Sequence, residues 1–186
     1  PVDGQFAYYL LKYYNASGYL QWTLFNNYTF KYVAPHKVKV TVQYDDPYGN
    51  NFTTCMIVNT MNRFVETGDW IGMWFPLWIE TNIDIGSKVN VAHAVAEVKG
   101  NALFKRVIDC WELPYTIDSY NYTQLHDKTS GLMMDTILVE PFGKSIDMFL
   151  ADANILIGSG VTDLAVVGLM HEEIIVAQSY SAYFDI

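Results

Sequence analysis

The chain has 186 residues, of which 51% are hydrophobic and 16% aromatic while only 17% are charged, enough apolar material for one packed domain and incompatible with disorder. The charges sum to −9, and the only arginines are Arg63 and Arg106, a balance that opposes a phosphate-tracking surface and so a nucleic-acid partner. The longest apolar run, Trp70 to Ile79, is interrupted by Pro76 and falls short of the roughly 20 residues a membrane helix needs, so no membrane span is expected.

The first predicted element is an extended segment from Phe6 to Tyr14. Phe6, Tyr8 and Leu10 lie on one side, and Ala7, Tyr9, Leu11 and Tyr13 on the other, so a strand here has no solvated face before Lys12 and must be covered twice. A terminal segment of this kind left exposed would pair with the next available sheet edge. Gly18 then offers a joint before a strand at Tyr19 to Phe25, which divides the chain into a tail, 1–17, and a head, 18–186. Val38, Val40, Val42 and Tyr44 alternate with Lys39, Thr41 and Gln43 as in a half-buried strand, and Asp45 to Gly49 supplies a turn. Asp45, Asp46, Asn50 and Asn51 carry calcium-ligand chemistry too, but without the alternating order of a calcium loop, so turn formation is the expectation.

Trp70, Trp74, Trp78 and Trp111 stand in apolar runs, as core residues or as platforms for sugars. Val89, Val91, His93 and Val95 predict one further strand. Tyr120 to His126 and Leu132 to Glu140 flank the turn Asp127 to Gly131 as a hairpin. Ser145 to Ile157 has a capping serine with Ile146, Phe149, Leu150 and Ala153 on one helical face, which predicts a short helix. Ile174 to Ile186 reads as a long final strand. The expected fold is all-β: an antiparallel, β-sandwich-like globular head with an extended N-terminal strand.

Four N-x-[ST] acceptors, at Asn15, Asn27, Asn51 and Asn121, point to an exported chain carrying N-linked glycans. The start at Pro1, without an initiator methionine or a basic leader, reads either as a chain whose signal peptide has been removed or as a trimmed one. Cys55 and Cys110 are too few for a zinc site and the right number for one disulfide, whose loop of about 55 residues would contribute roughly 4 kcal/mol on a chain-entropy model. The shortage of ion-pairing residues also suits a strongly acidic medium, where carboxylates protonate and aromatic packing must hold the fold.

Catalytic motifs are wanting. His171-Glu172-Glu173-Ile174-Ile175 has Ile where a zinc pair needs its second His, and Gly158-Ser159-Gly160 lacks the spacing of a nucleophile elbow. His36, His93 and His126 are scattered, and Glu66, Glu80, Glu97, Glu112 and Glu140 nominate no pair for glycoside hydrolysis. The expectation is a non-enzymatic chain without metal or cofactor.

The start Pro1-Val2-Asp3-Gly4 leading into Phe6 to Tyr14, the clustered sequons and the single cysteine pair together resemble the subunit family of archaeal threads, the thin extracellular filaments of thermoacidophilic archaea. The segments Trp78 to Val89 and Asp127 to Leu132 share that strand-turn style. The resemblance implies a head whose open groove receives the N-terminal strand of a neighbour, with Phe6, Ala7, Tyr8, Tyr9, Leu10, Leu11 and Tyr13 as the donor strand. It further implies identical subunits in a head-to-tail polymer at the cell surface, with glycans outside. The alternative is a monomeric envelope glycoprotein, of a kind that could bind carbohydrate, in which the same strand completes its own sheet.

Overall fold

The computed structural model describes residues 3–155, and among these there is no helix. The strands are β1 (Phe6–Tyr14), β2 (Leu20–Ala34), β3 (Lys37–Asp45), β4 (Asn51–Asn59), β5 (Val65–Gly68), β6 (Lys88–Val91), β7 (Ala94–Glu97), β8 (Gly100–Phe104), β9 (Ile108–Ile117), β10 (Tyr120–Asp127), β11 (Met133–Val139) and β12 (Ser145–Ala153). Ten of them form one antiparallel sheet in the order β5-β4-β3-β2-β1-β12-β11-β10-β9-β8, and β6 and β7 pair separately. The all-β, antiparallel expectation holds. Buried residues of both halves of the sheet, among them Val40, Met56 and Val65 on one side and Cys110, Met133 and Leu150 on the other, belong to one core cluster, so the halves face a common interior.

The N-terminal strand is an interior strand of its own body. Tyr14 pairs with Leu20 across a short turn in which Asn15 N–H donates to the Tyr19 carbonyl (3.0 Å), and Leu10 pairs with Phe25 of β2 and with Phe149 of β12. Ala7 and Tyr9 are fully buried on the inner face; the Tyr9 hydroxyl donates to the Met133 carbonyl (2.7 Å) and its ring meets Tyr28 edge-on at 5.7 Å. The lead-in is bonded as well, with Gly4 N–H on the Phe30 carbonyl and Tyr32 N–H on Asp3. The predicted two-sided strand is therefore real, and within this single chain both edges of β1 are taken by β2 and β12. Nor is there a joint between a tail ending at 17 and a head beginning at 18, because the turn Asn15–Tyr19 is a tight hairpin link inside the sheet.

Two further expectations change. The helix read over 145–157 is β12, an interior strand between β1 and β11 with no exposed position, so apolar residues on both faces imitate helical spacing. The single strand read over Val89 to Val95 breaks at Ala92 and His93, with Ala92 at φ 50°, into the hairpin β6–β7. The hairpin β10–β11 forms as expected. Its Gly131 has φ +74°, and a Cβ there would lie 2.1 Å from the Ile79 carbonyl oxygen, so only glycine admits the chain passing over it. The final strand read over 174–186, His171-Glu172 and Gly158-Ser159-Gly160 lie outside the described residues.

The chain passing over Gly131 is the long connection from β5 to β6, and it lies across the inner face as a lid. Ile79 N–H donates to Gly131, Met133 N–H to Leu77, and Trp74 and Ala92 exchange backbone hydrogen bonds. Phe75 and Leu77 are fully buried, and the rings of Trp70, Phe75, Trp78 and Phe30 form a continuous series with centroids 4.6–5.9 Å apart. Arg63 pins this lid. It is 3% exposed, its fork meets both Glu80 carboxylate oxygens at 3.2 Å, and it donates to the carbonyls of Phe75, Trp78 and Asn90.

Candidate binding cleft

The lid begins at Trp70, and short of that residue the inner face stays open. There the hairpins β1–β2 and β3–β4 leave a cleft of about 350 Å³. Its walls are Leu11 and Tyr13 of β1, Leu24 and Tyr28 of β2, and Val42 and Tyr44 of β3. Cross-strand register assembles them, since Leu11 faces Leu24, Asn26 faces Tyr44, and Tyr28 faces Val42. Tyr44 stacks on Phe52 (5.4 Å) and Tyr13 meets Trp22 edge-on (6.2 Å), so the aromatic walls are braced from outside the cleft. Burial pushes the Tyr28 hydroxyl up to about 12, against a smaller opposite effect of its hydrogen bond from Asn26, so it stays neutral.

The rim is acidic. Asp45, Asp46 and Asp69 line the mouth, and among the described residues no lysine, arginine or histidine lines it. Asp46 is occupied by the β3–β4 turn, where it accepts from Tyr48 N–H, Asn50 N–H and the Asn50 side-chain amide; these Asn50 bonds, led by the side-chain one, hold it below the usual carboxylate range. Asp69 accepts from the Thr54 hydroxyl. Asp45 differs: its Oδ1 is buried and has no hydrogen-bond partner among the described residues.

The other face carries a second polar feature. Asp135 of β11 and Asp147 of β12 are hydrogen-bonded to each other beside a cavity of about 330 Å³ that Lys12, Lys105 and Phe149 also line. Burial first, and the neighbouring Asp147 second, push the Asp135 carboxyl up to about 8, so the pair holds a proton at neutral pH. Lys12 and Lys105 lie over the Phe149 ring at 5.2 and 5.4 Å. Carboxyls sharing a proton are closer than the ~5 Å or more that glycoside hydrolysis uses.

The sequence-predicted positions fall as follows. Asn15, Asn51 and Asn121 sit at one end of the sheet, the end of the cleft mouth, in the β1–β2 turn and at the starts of β4 and β10. Asn15 accepts through its amide oxygen from Ser17 and Tyr19 N–H, and Asn121 through its oxygen from Thr116; none of these contacts uses the nitrogen that would carry a glycan. Asn27 is half-buried in mid-strand opposite Tyr8. The expected disulfide is corrected: Cys55 is an exposed free thiol on β4 and Cys110 a buried one on β9, with β3, β2, β1, β12, β11 and β10 between them in the sheet. Cys55 is open to solvent while Cys110 is enclosed in the core, so the two thiols stand apart and unbonded. Burial raises the Cys110 thiol to about 12.

Glu66, Glu80 and Glu97 are dispersed onto Lys37, Arg63 and Lys99. Trp78 is core and Trp74 belongs to the lid, whereas Trp70 reaches the cleft. His126 is fully buried against the Gly131 carbonyl, and burial lowers it to about 4. Arg63, which composition marked only as a rare arginine, carried no local signal for its role, because its partners lie 12 to 27 positions away in the chain.

No family model matches the chain, and no curated protein matches it by sequence. Among solved structures, MucB in complex with MucA(peri) is similar over 81% of this chain and 49% of that one, at 8% identity and a TM-score of 0.45. This chain thus spans about half the length of MucB. A protein described as exported, with a YmcC-like fold, from Bacteroides fragilis is similar over 81% of this chain and 95% of its own, at 9% identity and a TM-score of 0.42.

Proposed function

We propose that the chain is an exported, non-catalytic binding domain that takes a small, largely apolar ligand in the inner-face cleft. The observation that carries this reading is the cleft itself, where apolar and aromatic side chains stay half-exposed on a face that is elsewhere sealed by a pinned lid. Acceptor asparagines around the same end favour an extracellular or envelope setting, in which glycans would surround the mouth without filling it.

A thread-like polymer built by exchange of β1 would require that strand to leave two partners and a tight turn, at the loss of the Tyr9 anchor. The cis-completed glycoprotein is the simpler reading. Light scattering of the purified chain should give a monomer of 21.2 kDa plus any glycan. Titration with a neutral fluorescent probe such as Nile red should saturate at one site, and Val42→Trp, which fills the cleft, should abolish it. Filaments in the scattering experiment, or probe binding that never saturates, would sink this reading.

A further inference from the structure

We infer that the outer face of the sheet carries a second ligand site, distinct from the cleft, that takes a neutral saccharide on an aromatic floor. The site is a cavity of about 440 Å³ where β12, β1 and β2 run side by side, within the roughly 300–1,000 Å³ of small-ligand sites. Cross-strand register assembles it. Ala7 and Tyr9 turn inward to the core, so Phe6 and Tyr8 face outward; Asn27 of β2 and Asp152 of β12 stand opposite Tyr8, and Thr29 stands opposite Phe6. All of these outward residues line the cavity.

Floor and rim differ in chemistry. The Tyr8 ring lies beside the Phe25 ring, with centroids 5.6 Å apart and planes 27° from parallel, so the two make a nearly flat aromatic surface on the sheet. The lead-in that closes one end is clamped, since Asn154 accepts from Phe6 N–H (2.6 Å) and donates to the Gly4 carbonyl (3.1 Å). A bulge in the β1–β12 ladder, between Tyr8 and Tyr9, bends the strands at the same place. On the rim, the Thr29 hydroxyl and the Asp152 carboxylate have no partner among the described residues, and Thr29 is exposed to solvent. A pyranose carries C–H bonds on one face, which suit the negative face of an aromatic ring, and hydroxyls at its edge, which suit hydroxyl and carboxylate partners. A purely apolar ligand would strand the rim groups. An anion would meet Asp152, with no basic side chain among the described lining residues to offset it.

The test is a ligand-observed NMR titration of the full chain, produced without glycosylation. Cellotriose, maltotriose and chitotriose serve as neutral probes and trigalacturonate as the anionic one. At least one neutral trisaccharide should bind saturably at one site, at least about tenfold tighter than trigalacturonate. Thr29→Trp, which fills the cavity from an exposed position, should abolish this binding with an unchanged urea midpoint. Tyr8→Ala should weaken it at least about tenfold, and Tyr8→Phe by less than about threefold. Val42→Trp, in the inner cleft, should leave it unaltered, so that failure here and failure of the cleft reading are told apart. Saturable binding by none of the neutral probes, equal binding of trigalacturonate, or full binding by Thr29→Trp would overturn the inference. So would a glycan on Asn27 in peptide maps of the natively produced protein, since it would occupy the cavity from within the chain.

Discussion

The inner face of this sheet is built twice from the same alternation of apolar residues, and the two parts end differently. Over β11 and the far end of β2, the lid covers the sheet, and Phe75, Leu77 and Met133 reach complete or nearly complete burial. Over the hairpin end, Leu11, Leu24 and Tyr44 are equally apolar yet remain half-exposed. The difference is not one of strand composition. It comes from where the β5–β6 connection is fastened: Arg63 and the backbone bonds at Gly131 and Met133 hold the chain over one part and leave the other open.

That contrast can be broken by substitution, and the largest effect is expected beneath the lid. Leu77→Ala should cost about 3 kcal/mol, because a fully covered side chain leaves a cavity, whereas Leu24→Ala in the open cleft should cost about 1 kcal/mol. Urea unfolding of the two variants compares them directly, and equal losses would mean that the lid is not a structural cover. Arg63→Ala should lose about 3 kcal/mol, since the Phe75, Trp78 and Asn90 carbonyls would lose their donor together and Glu80 its partner. An unchanged urea midpoint would show that the lid is held without it.

A smaller effect concerns the acid pair on the other face. With its carboxyl raised to about 8, folded Asp135 retains a proton that the unfolded chain releases near pH 4, so its contribution is intact below about pH 4 and is lost progressively as pH rises towards 8. His126 works in the opposite sense: lowered to about 4, it weakens the fold as pH falls from about 6.5 towards 4. Asp135→Asn should therefore stabilise the chain by about 2 kcal/mol at pH 8, only part of the full shift because the cavity opens to solvent, and by nothing at pH 4. Thermal melts across that range would show an acid slope left to His126 alone; a gain independent of pH would refute the shared proton. The least effect is expected from Asn51→Gln at the exposed start of β4, within about 0.5 kcal/mol of the unaltered protein in the same unfolding assay. A larger loss would mean that the cleft end is more tightly integrated than its exposure shows.

Strands with one wet face were legible residue by residue. Val38, Val40 and Val42 alternate in β3 and are buried as the pattern requires, and the Asp45–Gly49 and Asp127–Gly131 turns form where the turn residues stand. Strands packed on both sides were less legible. β12 imitates a helix because its apolar residues point both ways, while β1 is legible as a two-sided strand but says nothing of which sheet hosts it. The cleft was half visible: Asp45 and Asp46 stood out as turn or ligand chemistry and Trp70 as core or platform, but nothing local said that they would meet.

The amino-acid order alone determined what depends on near neighbours: the all-β class, the main turns, the twofold apolar character of residues 6–14, and the scarcity of ion pairs. Alternation and turn chemistry act over a few residues, so they can be read along the chain. Tertiary structure decided which sheet receives β1, that Cys55 and Cys110 stand apart, and that a long connection pinned by Arg63 seals one part of the inner face and leaves a cleft in the other. These are choices among partners distant in sequence. Closing a longer loop costs only slightly more than closing a shorter one, so it is the fit of the packed side chains that selects among them.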